Sequence, residues 1–274
     1  MALVYTAISA VLLFWHSVWD MVLGDASGWL TNWSWVLGIV FLVLTVRTAL
    51  IPMAVRQITS QRAVQALRPK VEALREKHRG DREKLRTELV ELYRAEKVNP
   101  LMSVLPMLVQ APVFLGLLHV LRHLRPSVTG DAARTLYGWT LTQFDSAAQA
   151  KLFGAPIAAT FGSTVAQPGI VTVVAGVLIA VMVVTTYVTS RQLILRTGWA
   201  TEPQARMVQR LMLYGIPLSL LVSGALLPIG VILYWVTQNL FALGQQMWIL
   251  RKFPPPAADA YTRSPRKVWE GETP

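Results

Sequence analysis

Arg47 is the residue in this chain with the strongest claim to chemistry. It lies in an apolar run, Trp33 to Val55, nine residues before Arg56. In a helix rising about 1.5 Å per residue, the guanidinium sits roughly 13 Å from that next charge. Snorkelling does not easily bridge such a depth. A bare arginine at the centre of a membrane helix costs at least about 2.5–3.5 kcal/mol. No Asp or Glu occurs in any of the five long apolar runs, so its surroundings must be wet, lined by neutral polar groups, or both. The candidates are Gln110, Thr185, Thr186, Tyr187, Thr237, Gln238 and Asn239. An unneutralised cation at that depth fits an anion site, or a site receiving acidic and polar pieces of another polypeptide. It fits poorly with a cation pump, which needs carboxylates. A purely architectural arginine, bonded to carbonyls freed by Pro106 or Pro112, is the plainer alternative.

Other chemistries are thinly represented. The chain has no cysteine, which removes thiolate nucleophiles and disulfides. His119 and His123 are four apart, but no third ligand accompanies them, so no metal site is expected. No glycine-rich phosphate loop occurs, and no Ser/His pair or carboxylate pair lies at membrane depth. No cofactor and no enzymatic activity are expected.

The elements that must position Arg47 follow from composition. Of 274 residues, 53% are apolar and 15% charged, against about 45–50% and about 25% in soluble domains. A bilayer core calls for roughly 20 apolar residues per helix. Runs at 33–55, 101–121, 170–190, 211–227 and 228–250 qualify, the last two turning near Ser223, Gly224 and Pro228. The expected fold is an all-α polytopic membrane protein with five transmembrane helices. Segment 1–32 holds a sixth candidate, Leu3 to Leu23. Its Tyr5, Ser9, His16 and Asp20 share a stripe that suits a helix lying in the external interface; a sixth span or a signal segment remain alternatives. Of the 26 basic residues, 21 fall in segments 56–100, 191–210 and 251–274, so those should be cytoplasmic. The N-terminus and the 122–169 loop are then external, and the chain is a multi-pass protein of the cell membrane. Trp29, Trp33 and Trp35 read as outer anchors and Trp248 as an inner one. The net charge of +11 reflects topology and anionic lipid or RNA-rich partners, with no DNA implied. Residues 251–274 read as a disordered tail whose Arg263, Arg266 and Lys267 could touch ribosomal RNA.

Segment 56–100 reads as a helical hairpin. Val64, Leu67, Val71 and Leu74 step by 3, 4 and 3, and Leu85, Leu89 and Leu92 by 4 and 3, which gives two helices one seam to bury. Gly80 ends the first helix and Asp81 caps the second, while Pro69 should kink or split the first. This is either a solvated linker or a docking arm, the latter presenting Leu67, Leu74, Arg75, Arg79, Arg82 and Arg86.

Five stretches in order, VRTALIPM (46–53), LRPKVEALREK (67–77), LYRAEKVNPL (92–101), PMLVQAPVF (106–114) and PIGVILYWVTQN (228–239), resemble the YidC/Oxa1/Alb3 membrane protein insertases. The sequence resembles the short branch, without a large external domain before the first span. The resemblance implies a hydrophilic groove in the inner leaflet, closed to the outside. Arg47 matches its arginine, and the groove would hold Gln110, Thr185, Tyr187, Trp235, Gln238 and Asn239. The polar tail of an incoming membrane protein would enter it. Phe114, Tyr234 and Trp235 match a slide on the second and fifth spans that releases the substrate helix into lipid. Ala111 stands where relatives often carry methionine, and Thr45 is offset by two from a threonine of some members, where this chain has Val43. The implied partners are nascent membrane proteins, lipids, the ribosome, the Sec translocon and the signal recognition particle pathway. A small-anion transporter or channel is the alternative, though the internal repeats expected of one are not visible.

Overall fold

The computed structural model describes residues 2–24, 30–96, 98, 105–124, 128, 130–163, 168–200 and 203–252. The 253–274 part of the tail, with Arg263, Arg266 and Lys267, lies outside the described residues. The chain is an all-α polytopic membrane protein. Among the described residues three helical stretches are long and apolar enough to cross a membrane, 2–23, 169–195 and 203–225, with 33–49 plus 51–57 a fourth if that broken pair is one span. Two compact units form, residues 1–51 with 107–244, and residues 52–106 with 245–274.

In the first unit, α1 (Ala2–Leu23) packs along α2 (Trp33–Ala49). The expected first span, 33–55, is not one helix. It breaks at Leu50, and α3 (Ile51–Ala66) starts there. Pro52 explains the break: it has no N–H for the Thr48 carbonyl, and its ring crowds that turn.

In the second unit, α3 ends at Ala66 and α4 (Arg68–Lys77) restarts with Pro69 in its first turn. Proline is tolerated there because that N–H would have no intrahelical partner. α5 (Arg82–Ala95) begins at Asp81, whose carboxylate accepts the Lys84 N–H at 3.0 Å. α4 and α5 pair, with Leu67 buried and Val71, Leu74, Leu85, Leu89 and Leu92 half-buried along the seam. His78 Nε2 meets Glu88 at 2.9 Å and Lys70 meets Glu96 at 2.5 Å. Arg75, Arg79, Arg82 and Arg86 are all exposed.

Back in the first unit, α6 (Leu105–His123) leads into the connecting segment before α9 (Pro168–Thr197). That segment is a folded piece and not an open loop. It holds α7 (Asp131–Arg134), a 3-10 turn (Leu136–Gly138), α8 (Leu141–Gln149) and a two-residue hairpin, β1 (Lys151–Leu152) with β2 (Ala155–Pro156). Thr140 and Gln143 form a reciprocal capping box at the start of α8, and Gly154 (φ 84) supplies the left-handed residue the hairpin turn needs.

α9 (Pro168–Thr197) runs beyond its expected end, and α10 (Pro203–Arg210) starts before the expected fourth span. Hydropathy marks where lipid ends, whereas helical bonding continues through the polar residues beyond. A π turn at Leu211–Gly215 joins α10 to α11 (Ile216–Ala225); Pro217 cannot donate to the Leu213 carbonyl, which favours such an irregularity. α12 (Ile229–Lys252) closes the bundle. Its first donors are taken by the segment between α6 and α9, Ile229 N–H by the Ala159 carbonyl and Gly230 N–H by that of Ile157, both at 2.9 Å.

Candidate functional site

The site is best built from its closed end. Trp35, 3% exposed, is stacked between His16 at 3.8 Å and Trp139 at 5.6 Å, and its indole donates to Ser146 at 3.0 Å. Leu121, Leu124, Ala147, Ala150 and Ile157 gather with Trp35 around a void large enough for about one water. Gly230 is a point of closest approach, because a Cβ there would sit 2.5 Å from Ile157 and 3.1 Å from Leu121. His119 and His123 serve this end as well. His119 stacks on Tyr5 and meets the Tyr137 hydroxyl at 2.9 Å, and His123 donates to the Ala133 carbonyl at 2.8 Å.

α1 joins the same end twice. Tyr5 lies against His119 and Tyr137, and Asp20 accepts from Ser34 at 3.4 Å. Its middle reaches deeper, where the Trp15 indole donates to Thr45 at 2.8 Å. Part of the polar stripe is turned inward: Ser9 is fully buried and His16 stacks on Trp35, whereas Asp20 is exposed, as are Leu3, Phe14, Met21 and Val22. Among the described residues, buried Ser9 Oγ and His16 Nδ1 find no hydrogen-bond partner, an arrangement that costs free energy.

Arg47 lies 14 residues along α2 from Trp33, so about 21 Å from the closed end. It is half-buried, and its Nε donates to Gln238 Oε1 at 2.9 Å. Asn239, the next residue of α12, points to a different helix. Its Nδ2 donates to Thr186 Oγ1 at 2.9 Å and to Thr185 Oγ1 at 3.2 Å. Successive helical residues diverge by about 100°, which lets adjacent amides tie α12 to α2 on one side and α9 on the other. Thr185 is buried and also donates to the Val181 carbonyl, while Thr237 donates to that of Leu233.

Phe114 of α6 meets Tyr234 at 6.2 Å and Trp235 edge-on at 5.1 Å. Tyr234 is only 2% exposed and belongs to the core, whereas Phe114 and Trp235 are half-buried. Tyr187 faces Tyr214 at 6.3 Å. The side chain of Gln110 lies outside the described residues, as does the start of the expected second span, 101–104. Sequence reasoning passed over Trp15, Ser34 and Ser146 as bonding partners. The Thr140 to Gln143 spacing was the one legible signal of a folded cap.

No Asp or Glu occurs in α2, α6, α9, α10, α11 or α12, so the guanidinium is held by a neutral amide on helices that carry no counter-charge. A family model described as 60Kd inner membrane protein matches residues 27–256. The chain belongs to the YidC/Oxa1 family. The membrane protein insertase YidC of Streptomyces avermitilis is 36% identical over 261 residues, covering 92% of this chain and 59% of that protein. The one from Mycolicibacterium paratuberculosis is 34% identical, covering 90% and 74%, and that from Tropheryma whipplei (strain Twist) 32%, covering 93% and 84%. The family match takes in α2 to α12 and the cap, and so every element that carries Arg47 and its partners.

Proposed function

We propose that this protein is a membrane protein insertase that receives the polar tail of an incoming membrane protein at Arg47 and passes its apolar helix into lipid. The observation that carries this reading is the guanidinium held by Gln238, far from the sealed end and on helices without a carboxylate. Moving a hydrophilic tail through hydrocarbon is costly because its polar groups lose water. A polar recess reaching partway shortens the dry distance, and a cation there attracts carboxylates more strongly as the dielectric falls. The released helix gains its burial in lipid, so the reaction needs no nucleotide.

On this reading Arg47, Gln110, Thr185, Gln238 and Asn239 line the recess from the cytoplasmic side. Phe114 and Trp235 form the surface a passing helix meets, with Tyr234 supporting them from the core. α1 lies along the outer leaflet, since Tyr5 and Asp20 are both held at the closed end. The N-terminus is external and the C-terminal tail cytoplasmic. The exposed arginines of the α4–α5 hairpin make it a docking arm for the ribosome or the signal recognition particle, with the Sec translocon a further partner.

The test is insertion of a single-span client with an acidic external tail into vesicles containing the full chain. Arg47→Ala is expected to lower insertion about tenfold or more, the scale of a lost charge-assisted bond, while Arg47→Lys retains most of it. Equal insertion by all three forms would defeat the electrostatic reading. Movement of small anions without client insertion would favour a transporter instead.

A further inference from the structure

An arginine has two usable edges, and only one of them is taken by Gln238. Nε carries a single hydrogen, given to Gln238 Oε1 at 2.9 Å. The other four lie on the two Nη atoms, in the fork that matches a carboxylate. Gln238 is neutral, so it fixes the plane of the guanidinium without cancelling its charge. A glutamate would reach the same place with the same geometry and neutralise it, and no glutamate or aspartate occurs anywhere on α12.

We propose that Gln238 is the positioning residue that sets the charge selectivity of this site, anchoring the Nε edge of Arg47 so that the forked edge meets a carboxylate of the incoming polypeptide. The inference rests on the insertase reading and goes beyond it: preference for acidic tails depends on a neutral acceptor at 238 as much as on the arginine. Adjacent Asn239 is turned toward a different helix, its Nδ2 donating to Thr185 and Thr186 of α9.

The experiment uses the full chain in vesicles of phosphatidylethanolamine and phosphatidylglycerol, with two clients that differ only in an acidic or a neutral external tail. Gln238→Glu is expected to lower the ratio of acidic-tail to neutral-tail insertion about tenfold, the effect of an ion pair competing for the same cation. Gln238→Met, similar in volume and lacking an acceptor, should lower the same ratio several-fold, and it carries the test if Gln238→Glu does not fold. Equal losses for both tails would mean that Gln238 is merely structural and would overturn the proposal. So would wild-type insertion of acidic tails by Gln238→Glu in a background where Arg47→Ala is inactive. If Arg47→Ala itself inserts acidic tails normally, the insertase electrostatics fail first and this inference falls with them.

Discussion

The two ends of the helical unit formed by residues 1–51 and 107–244 are built from different materials. At the Trp35 end aromatic rings stack on one another, Trp35 between His16 and Trp139, and the first donors of α12 find carbonyls of the 157–159 segment. At the other end the contacts are single hydrogen bonds between amides, hydroxyls and one guanidinium. Dense aromatic packing excludes water and tolerates little movement. Sparse polar bonds in an apolar setting are individually weak, and each can be exchanged for water or for a polar group of a ligand. On the proposed reading, a bundle tightly packed at one end and exchangeable at the other would admit polar material from one side only.

Breaking the seal should have the largest effect on stability. Trp35→Ala removes a buried indole, both of its stacking partners and the bond to Ser146, and is expected to cost about 3–5 kcal/mol, read as a lower unfolding temperature in detergent. The chain contains no cysteine, so Thr189→Cys, on the polar side of α9, offers one reporter of access. In the Trp35→Ala background an impermeant maleimide added from outside should begin to label it. Stability within about 1 kcal/mol of the parent, a small fraction of the expected loss, would show that the stack is not what closes this end.

Gly230 tests the same end by overfilling it. Gly230→Val places methyls where a Cβ alone would already lie 2.5 Å from Ile157 and 3.3 Å from Ile39. The expected loss is about 1–3 kcal/mol, again by thermal unfolding. Unchanged stability would mean that the 157–159 segment yields, and that the closed end is softer than its packing suggests.

Much of this contrast could be read from residue types alone. Arg47 stood out because it lacked a counter-charge, and Gln238, Asn239, Thr185 and Thr186 were among the neutral candidates around it; all three bonds found link residues singled out that way. The pairing of Arg47 with Gln238 and not Asn239 was not legible, because it depends on the rotation of α12 to within a fraction of a turn. The hairpin seam and the Asp81 cap followed from spacing, which is local. The closed end was harder. Its residues are loop-like by hydropathy, and their order comes from contacts such as Trp35 to Ser146, more than a hundred residues apart. The side of α1 that packs on α2 was not legible for a related reason: periodicity identifies a stripe, but only the neighbours decide whether water or protein lies beside it.

The smallest expected effect sharpens the comparison most, because it separates two adjacent residues. Asn239→Leu deletes both donors to Thr185 and Thr186 while keeping the side chain's bulk. Interhelical hydrogen bonds in membranes average about 0.6 kcal/mol and reach about 1.7 kcal/mol, so a stability loss in that range is expected, with insertion lowered a little and equally for acidic and neutral tails. Gln238→Glu, one residue earlier, should show the reverse pattern, with stability nearly kept and the acidic tail selectively lost. If Asn239→Leu instead discriminated between tails, the division of α12 into a face that reads charge and a face that holds α9 would be wrong. The whole polar end would then act as one recognition surface.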